Sequence, residues 1–167
     1  QESWTIGLTY KSRQVFRSFN YDQINGLGLQ ASTDLDYPMI LAGGVAYAGF
    51  SKLIIAFDFR VIDFSSTDGL GQSGYGSDLS VNGFGWQDAY FYGIGFEYAL
   101  NDSVVLRSGY SFNTNPVVGE LSFFSIPAPA VVQHAIGLGV TYKASNKIDL
   151  SAGFHHGFEE SGGVRSF

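Results

Sequence analysis

Between residues 83 and 116 the sequence alternates at every second position through two stretches of about ten residues, and this pattern narrows the possible folds more than any other feature. In the first stretch Tyr90, Tyr92, Ile94, Phe96, Tyr98 and Leu100 share one face, while Ala89, Phe91, Gly93, Gly95, Glu97 and Ala99 share the other. After the polar turn Asn101-Asp102-Ser103, Val104, Leu106, Ser108, Tyr110 and Phe112 oppose Val105, Arg107, Gly109, Ser111 and Asn113. A period of two, a turn, and a period of two again predict an antiparallel hairpin. One face is bulky and aromatic; the other is small and holds a glutamate and an arginine. Strands of about ten residues are long enough, when tilted, to cross a bilayer.

The same alternation extends along the chain. A first strand is predicted at Trp4 to Lys11, followed by a basic-aromatic loop at 12–26. A long second strand is predicted from Leu27 to Tyr47, bent or bulged at Pro38, because its odd positions stay apolar throughout. Leu53 to Ile62 form a third strand, and a Gly/Ser-rich loop fills 65–85. The opening hairpin supplies strands four and five, and a loop rich in Phe and Pro spans 115–129. Strands six and seven run from Val132 to Lys143 and from Ile148 to Glu159, around the turn at Ser145-Asn146-Lys147. Short turns near 49, 102 and 146 alternate with the long loops 12–26, 65–85 and 115–129. Bacterial outer-membrane barrels have this asymmetry, with tight periplasmic turns and long extracellular loops.

Composition narrows the reading. No run approaches the 18 or more apolar residues of a spanning helix, so any membrane signal lies in alternation. The chain has no cysteine, which excludes disulfides and thiolate metal sites. A formal net charge of −6 with no basic stripe excludes nucleic acid as an expected partner.

With each strand's phase set by its apolar residues, the charges fall on the opposite face. Lys11, Asp34, Asp36, Asp58, Arg60, Glu97, Arg107, Lys143, Asp149 and Glu159 all do so; Asp63 and Asp88 are exceptions, at the long-loop ends of their strands. A basic side chain at the bilayer midplane costs about 2–4 kcal/mol on the lipid face, so the partition suits lipid outside and a polar lumen inside. A soluble barrel or sandwich with its apolar face inward has the same alternation. Against it stand the many glycines of the polar face and the tyrosines gathered near the ends of the apolar stripes, as in two aromatic girdles.

From the third strand onward, and in the stretch just before it, the chain resembles the C-terminal half of FadL-type outer-membrane transporters of long-chain fatty acids and aromatic hydrocarbons. The resemblance rests on Pro38-Met-Ile-Leu-Ala-Gly-Gly-Val-Ala-Tyr47, Gly85-Trp86-Gln87-Asp88, Gly95-Phe-Glu-Tyr98, Leu106-Arg-Ser-Gly-Tyr110 with Asn115-Pro116, and Pro127-Ala-Pro-Ala-Val-Val-Gln-His134 before Gly137-Leu-Gly-Val-Thr-Tyr142. It implies a fourteen-strand barrel with an internal N-terminal plug and a lateral gate. Residues 1–167 are then expected to be a single segment of about seven antiparallel strands, a fragment lacking the plug, the upstream strands and a closing strand. It also implies passive uptake of hydrophobic molecules across the outer membrane of a Gram-negative bacterium, by a protein that is monomeric when full length. A small structural or adhesive barrel and a soluble ligand-binding barrel are the alternatives.

Candidate chemistry is sparse. Asp58, Arg60, Glu97 and Arg107 are expected to form a paired charge network in the lumen, since an unpaired buried charge is costly; Arg107 is also placed to meet a substrate carboxylate. His155 and His156 are adjacent on one strand and point to opposite faces, so they do not share an ion. Asp149, Ser151 and His155 share a face but stand at steps of nearly 7 Å or more along one strand, too far apart for a catalytic relay. No enzymatic activity, metal or cofactor is expected. The expected ligand pathway comprises Phe84, Trp86, Phe91, Phe123, Phe124 and Ile126, apolar residues that do not face lipid, together with Arg107.

Overall fold

The computed structural model describes residues 3–22, 30–77, 80–121 and 132–159. Its main element is a seven-stranded antiparallel sheet formed by β1 (Trp4–Lys11), β4 (Met39–Tyr47), β5 (Leu53–Asp63), β6 (Ala89–Ala99), β7 (Val104–Asn113), β8 (Val132–Ser145) and β9 (Ile148–Glu159), paired in that order. The short strands β2 (Phe19–Asp22) and β3 (Gln30–Thr33) pair with each other in a separate hairpin. The sheet is not closed: β1 and β9 are its edges.

The second strand expected at Leu27–Tyr47 is corrected by this arrangement. Gln30–Thr33 belongs to the outer hairpin, 34–38 breaks the ladder, and only Met39–Tyr47 enters the wall. Pro38 lacks a donor for the ladder, so the break falls before it. Asp36, assigned by phase to the lumen, is instead buried in the loops at 6% exposure, its Oδ1 accepting the Phe16 N–H at 2.9 Å.

The register fixes the tilt of the strands. Following partners from Trp4 leads through Tyr47, Ile55, Phe96, Ser108 and Leu138 to Phe154. Trp4 opens β1, whereas Phe154 lies well up β9 from Ile148, a stagger of about one residue per strand. One residue of rise, about 3.3 Å, per strand spacing of about 4.8 Å gives a tilt of about 35° when the short turns lie in one plane. An eleven-residue strand such as β6 then rises about 30 Å, enough for an apolar band about 25 Å tall.

The two faces of the sheet differ in chemistry. Ile6, Leu8, Phe57, Tyr92, Ile94, Phe96, Leu138, Val140, Leu150 and Phe154 all project outward and are exposed. Apart from Pro38 and Pro116 in the loops, the buried apolar residues among those described are Ala31, Leu70, Ala89, Val105 and Ala135. Four of these are small or sit at a strand end or loop, so the wall has no hydrophobic core of its own. An apolar face this extensive requires an apolar solvent or partner. The soluble alternative, in which these rings would meet in a dry interior, does not describe the molecule.

Candidate functional site: the inner wall and its outer rim

The inner face is built from rows of small residues that leave room for a few large ones. One row runs Thr5, Ala46, Ala56, Gly95, Gly109, Gly137 and His155. The next row toward the long loops contains Gly7, Gly44, Asp58, Gly93 and Ser111. Beyond it come Thr9, Ala42, Arg60, Phe91 and Asn113. Asp58 lies over Gly44, where a Cβ would collide with its carboxylate Oδ1. The parts of these rows on β1, β4, β5 and β6, with Ser111 of β7, line a trough of about 640 Å³ on the inner side, with Asp58, Arg60 and Phe91 as its largest inward side chains.

Glu97 and Arg107 face each other across β6 and β7, and Arg107 Nε donates to Glu97 Oε2 at 2.7 Å. Arg107 Nη1 donates to Thr141 Oγ1 at 2.7 Å, and Thr141 in turn contacts Ser151 Oγ at 2.9 Å. This polar chain crosses four strands, and Gly139 beside Arg107 leaves space for the guanidinium to reach β8. Asp58 and Arg60 are not joined to it. The row of Glu97 meets β5 at Ile54, which puts Asp58 about 13 Å farther along that strand. Among the described residues, Glu97–Arg107 is the one salt bridge. The expected four-residue network is therefore a pair, with two further charges standing in the trough. Among the described residues no group of His, Asp or Glu is arranged to hold a metal.

At the long-loop end, segments that the sequence presented as separate loops are tied together. Gln14 and Tyr37 exchange backbone hydrogen bonds at 3.1 and 3.0 Å, and Asp36 N donates to Asp68 O at 3.0 Å. Trp86 N reaches Leu70 O at 2.8 Å, and Gln87 N reaches Pro116 O at 2.9 Å. Asp63 and Asp88, the two charges outside the general partition, cap this region by accepting from Ser66 and Ser65. Phe84 and Trp86 pack with ring centroids 5.3 Å apart, and Phe64 meets Trp86 edge-on at 5.1 Å. All three rings are half-buried.

Of the residues expected on a ligand pathway, Phe84 and Trp86 thus share the outer rim, Phe91 lies in the trough, and Arg107 is in the polar chain outside the trough lining. Phe123, Phe124 and Ile126 lie outside the described residues. Phe64 was missed because it follows the last residue of β5 and falls in the phase of Arg60 and Ile62, opposite the apolar stripe; only Trp86, three residues before β6, hinted at a ring cluster there.

The family model described as outer membrane protein transport protein (OMPP1/FadL/TodX) matches residues 1–166. No curated protein sequence matches the chain significantly. Among solved structures, a Pseudomonas aeruginosa FadL homologue is similar with a TM-score of 0.69 at 16% identity, over 95% of this chain and 41% of that one. The CymD monoaromatic hydrocarbon channel is similar with a TM-score of 0.64 at 14% identity, over 96% of this chain and 44% of that one. A deltaS2 mutant of the TodX monoaromatic hydrocarbon channel gives a TM-score of 0.59 at 16% identity, over 95% and 41%. At these identities the likeness concerns the fold, and the chain spans less than half the length of these structures.

Proposed function

Because the chain belongs to the outer-membrane transport protein family of FadL and TodX, we propose that it forms part of the wall and outer rim of a channel for passive uptake of hydrophobic small molecules. An outer-membrane β-barrel family supplies the setting, and the two-faced wall is the observation that carries the reading. Its exposed aromatic stripe suits lipid, while the inner side offers a trough of about 640 Å³ floored by small residues and Phe91.

In this reading Phe84 and Trp86 gather apolar molecules at the rim by burying their surface, a role we propose also for Phe123, Phe124 and Ile126. Phe91 continues an apolar track along the small-residue wall, and no energy input is needed if the affinity falls inward. Long-chain fatty acids and monoaromatic hydrocarbons are the two cargo classes this track suits. The Glu97–Arg107–Thr141 chain belongs to the wall, because the guanidinium is already engaged on two sides.

The test is uptake by the complete protein in liposomes, following oleate and toluene entry. Entry above that of empty vesicles, reduced by Phe84→Ala combined with Trp86→Ala, is expected. Entry no faster than in empty vesicles for both compounds removes the transport reading and leaves a structural barrel.

A further inference from the structure

The trough of the inner wall contains two opposite charges that the wall itself does not use. Asp58 lies in the row Gly44, Asp58, Gly93, and Arg60 lies in the next row, between Ala42 and Phe91. Both are exposed, and among the described residues neither makes a hydrogen bond or an ion pair. They are two residues apart on β5, so their Cα atoms are separated by about 6.6 Å and their side chains share a face. Glycine on either side leaves the carboxylate uncrowded, and at Gly44 a Cβ would meet its Oδ1. Phe91 sets a half-buried ring directly across from Arg60. Glu97 and Arg107, by contrast, neutralise each other and lie outside the trough.

We infer that Asp58 and Arg60 together form a subsite for a neutral hydroxyl on an aromatic cargo, the chemistry of a phenol. This subsite rests on the reading of the trough as part of the cargo route, and it narrows the cargo class. Among the described residues, Asp58 and Arg60 are the charged groups that line the trough, and their formal charges cancel. A carboxylate head gains the guanidinium but meets the like charge of Asp58 one step away on the same strand face. An unsubstituted hydrocarbon leaves both charges without a partner. A hydroxyl answers both: its O–H donates to the Asp58 carboxylate, and its oxygen accepts from the Arg60 guanidinium. Two charge-assisted bonds through one oxygen span about 5.5 Å, comparable with the separation of the two residues. The ring that carries the hydroxyl then packs against Phe91, over the small residues of the floor.

The complete protein in nanodiscs is dialysed against toluene, p-cresol or p-toluate, three compounds of similar shape, and binding above that of empty nanodiscs is measured. p-Cresol is expected to bind about tenfold more tightly than either of the others, the lower end for a hydrogen bond to a charged group. Asp58→Asn combined with Arg60→Gln keeps side chains of similar length and is expected to bring p-cresol to the level of toluene, whose own binding is unchanged. Asp58→Asn alone is expected to reverse the order of p-cresol and p-toluate, because an isolated guanidinium favours the carboxylate. A merely structural role does not produce that reversal. Equal binding of p-cresol and toluene, tighter binding of p-toluate than of p-cresol by the unaltered protein, or an undiminished preference in the double variant overturns the subsite. The first two comparisons need no substitution, so they decide the matter even if a variant misfolds. Entry of toluene and oleate into liposomes is followed with the same protein. Entry without a preference for p-cresol removes the subsite and leaves the channel, whereas entry of neither compound removes the channel reading on which the subsite depends.

Discussion

Glu97 and Arg107 show how much of a site a sequence can carry at the scale of single residues. Their opposition was legible, since both fall inward at matching distances from the Asn101–Ser103 turn, and the register pairs them directly. What could not be read was the separation of Asp58 and Arg60, because stagger accumulates strand by strand and alternation records only which face a residue takes. The ion pair's side chains are 48% and 38% exposed, so its strength depends on how wet the inner side is. In a water-filled lumen a double-mutant cycle between Glu97→Ala and Arg107→Ala, read by denaturant unfolding in lipid, gives a coupling of about 0.2–1 kcal/mol. In a dry lumen removing one partner alone costs about 3–5 kcal/mol. We expect the smaller value, and the larger one would mean that the inner side is packed by protein. Glycine at 69 was illegible for another reason. It adopts φ of 80°, and a Cβ there would strike the Asp34 carbonyl, so at Gly69 the Gly/Ser-rich stretch packs closely against residues 34 and 35.

Elements were legible where alternation is long and misleading where it is short. Six of the seven wall strands appear within a few residues of their expected bounds, because a ten-residue period of two has few competing explanations. The error at Leu27–Tyr47 arose from parity itself. Residues 34–37 keep the odd positions apolar while the backbone leaves the wall, and a four-residue strand such as β2 is too short to declare a period. The division into a lipid face and an inner face leads to a test on neighbouring strands. Ile94 faces outward near the middle of β6, and Ser111 faces the trough on β7 in the row of Asp58 and Gly93. Ile94→Lys is expected to lower stability in lipid vesicles by about 2–4 kcal/mol, whereas Ser111→Lys changes it by less than about 1 kcal/mol. Equal losses at the two positions would contradict the assignment of faces.

At the scale of the whole molecule, the open edges are the dominant fact. β1 and β9 both run from a short-turn end toward a long-loop end, since six antiparallel steps separate them. They therefore cannot complete an all-antiparallel ring by pairing with each other, and closing such a ring takes an odd number of further strands between them. In hydrocarbon an unpaired backbone group costs several kcal/mol, and each open edge presents a row of them. Burial of the aromatic stripe in lipid favours insertion, but the edges oppose it until the ring is closed. Residues 1–167 alone are accordingly expected to associate in water and, when mixed with vesicles, to remain sensitive to protease and to migrate identically on gels with and without heating. Adding the strands that complete the ring restores protease resistance and the heat-dependent mobility of a closed barrel. If the isolated segment acquires both properties as a monomer, the edges are satisfied in some other way, and the sheet described by these registers is not the arrangement it takes in the membrane.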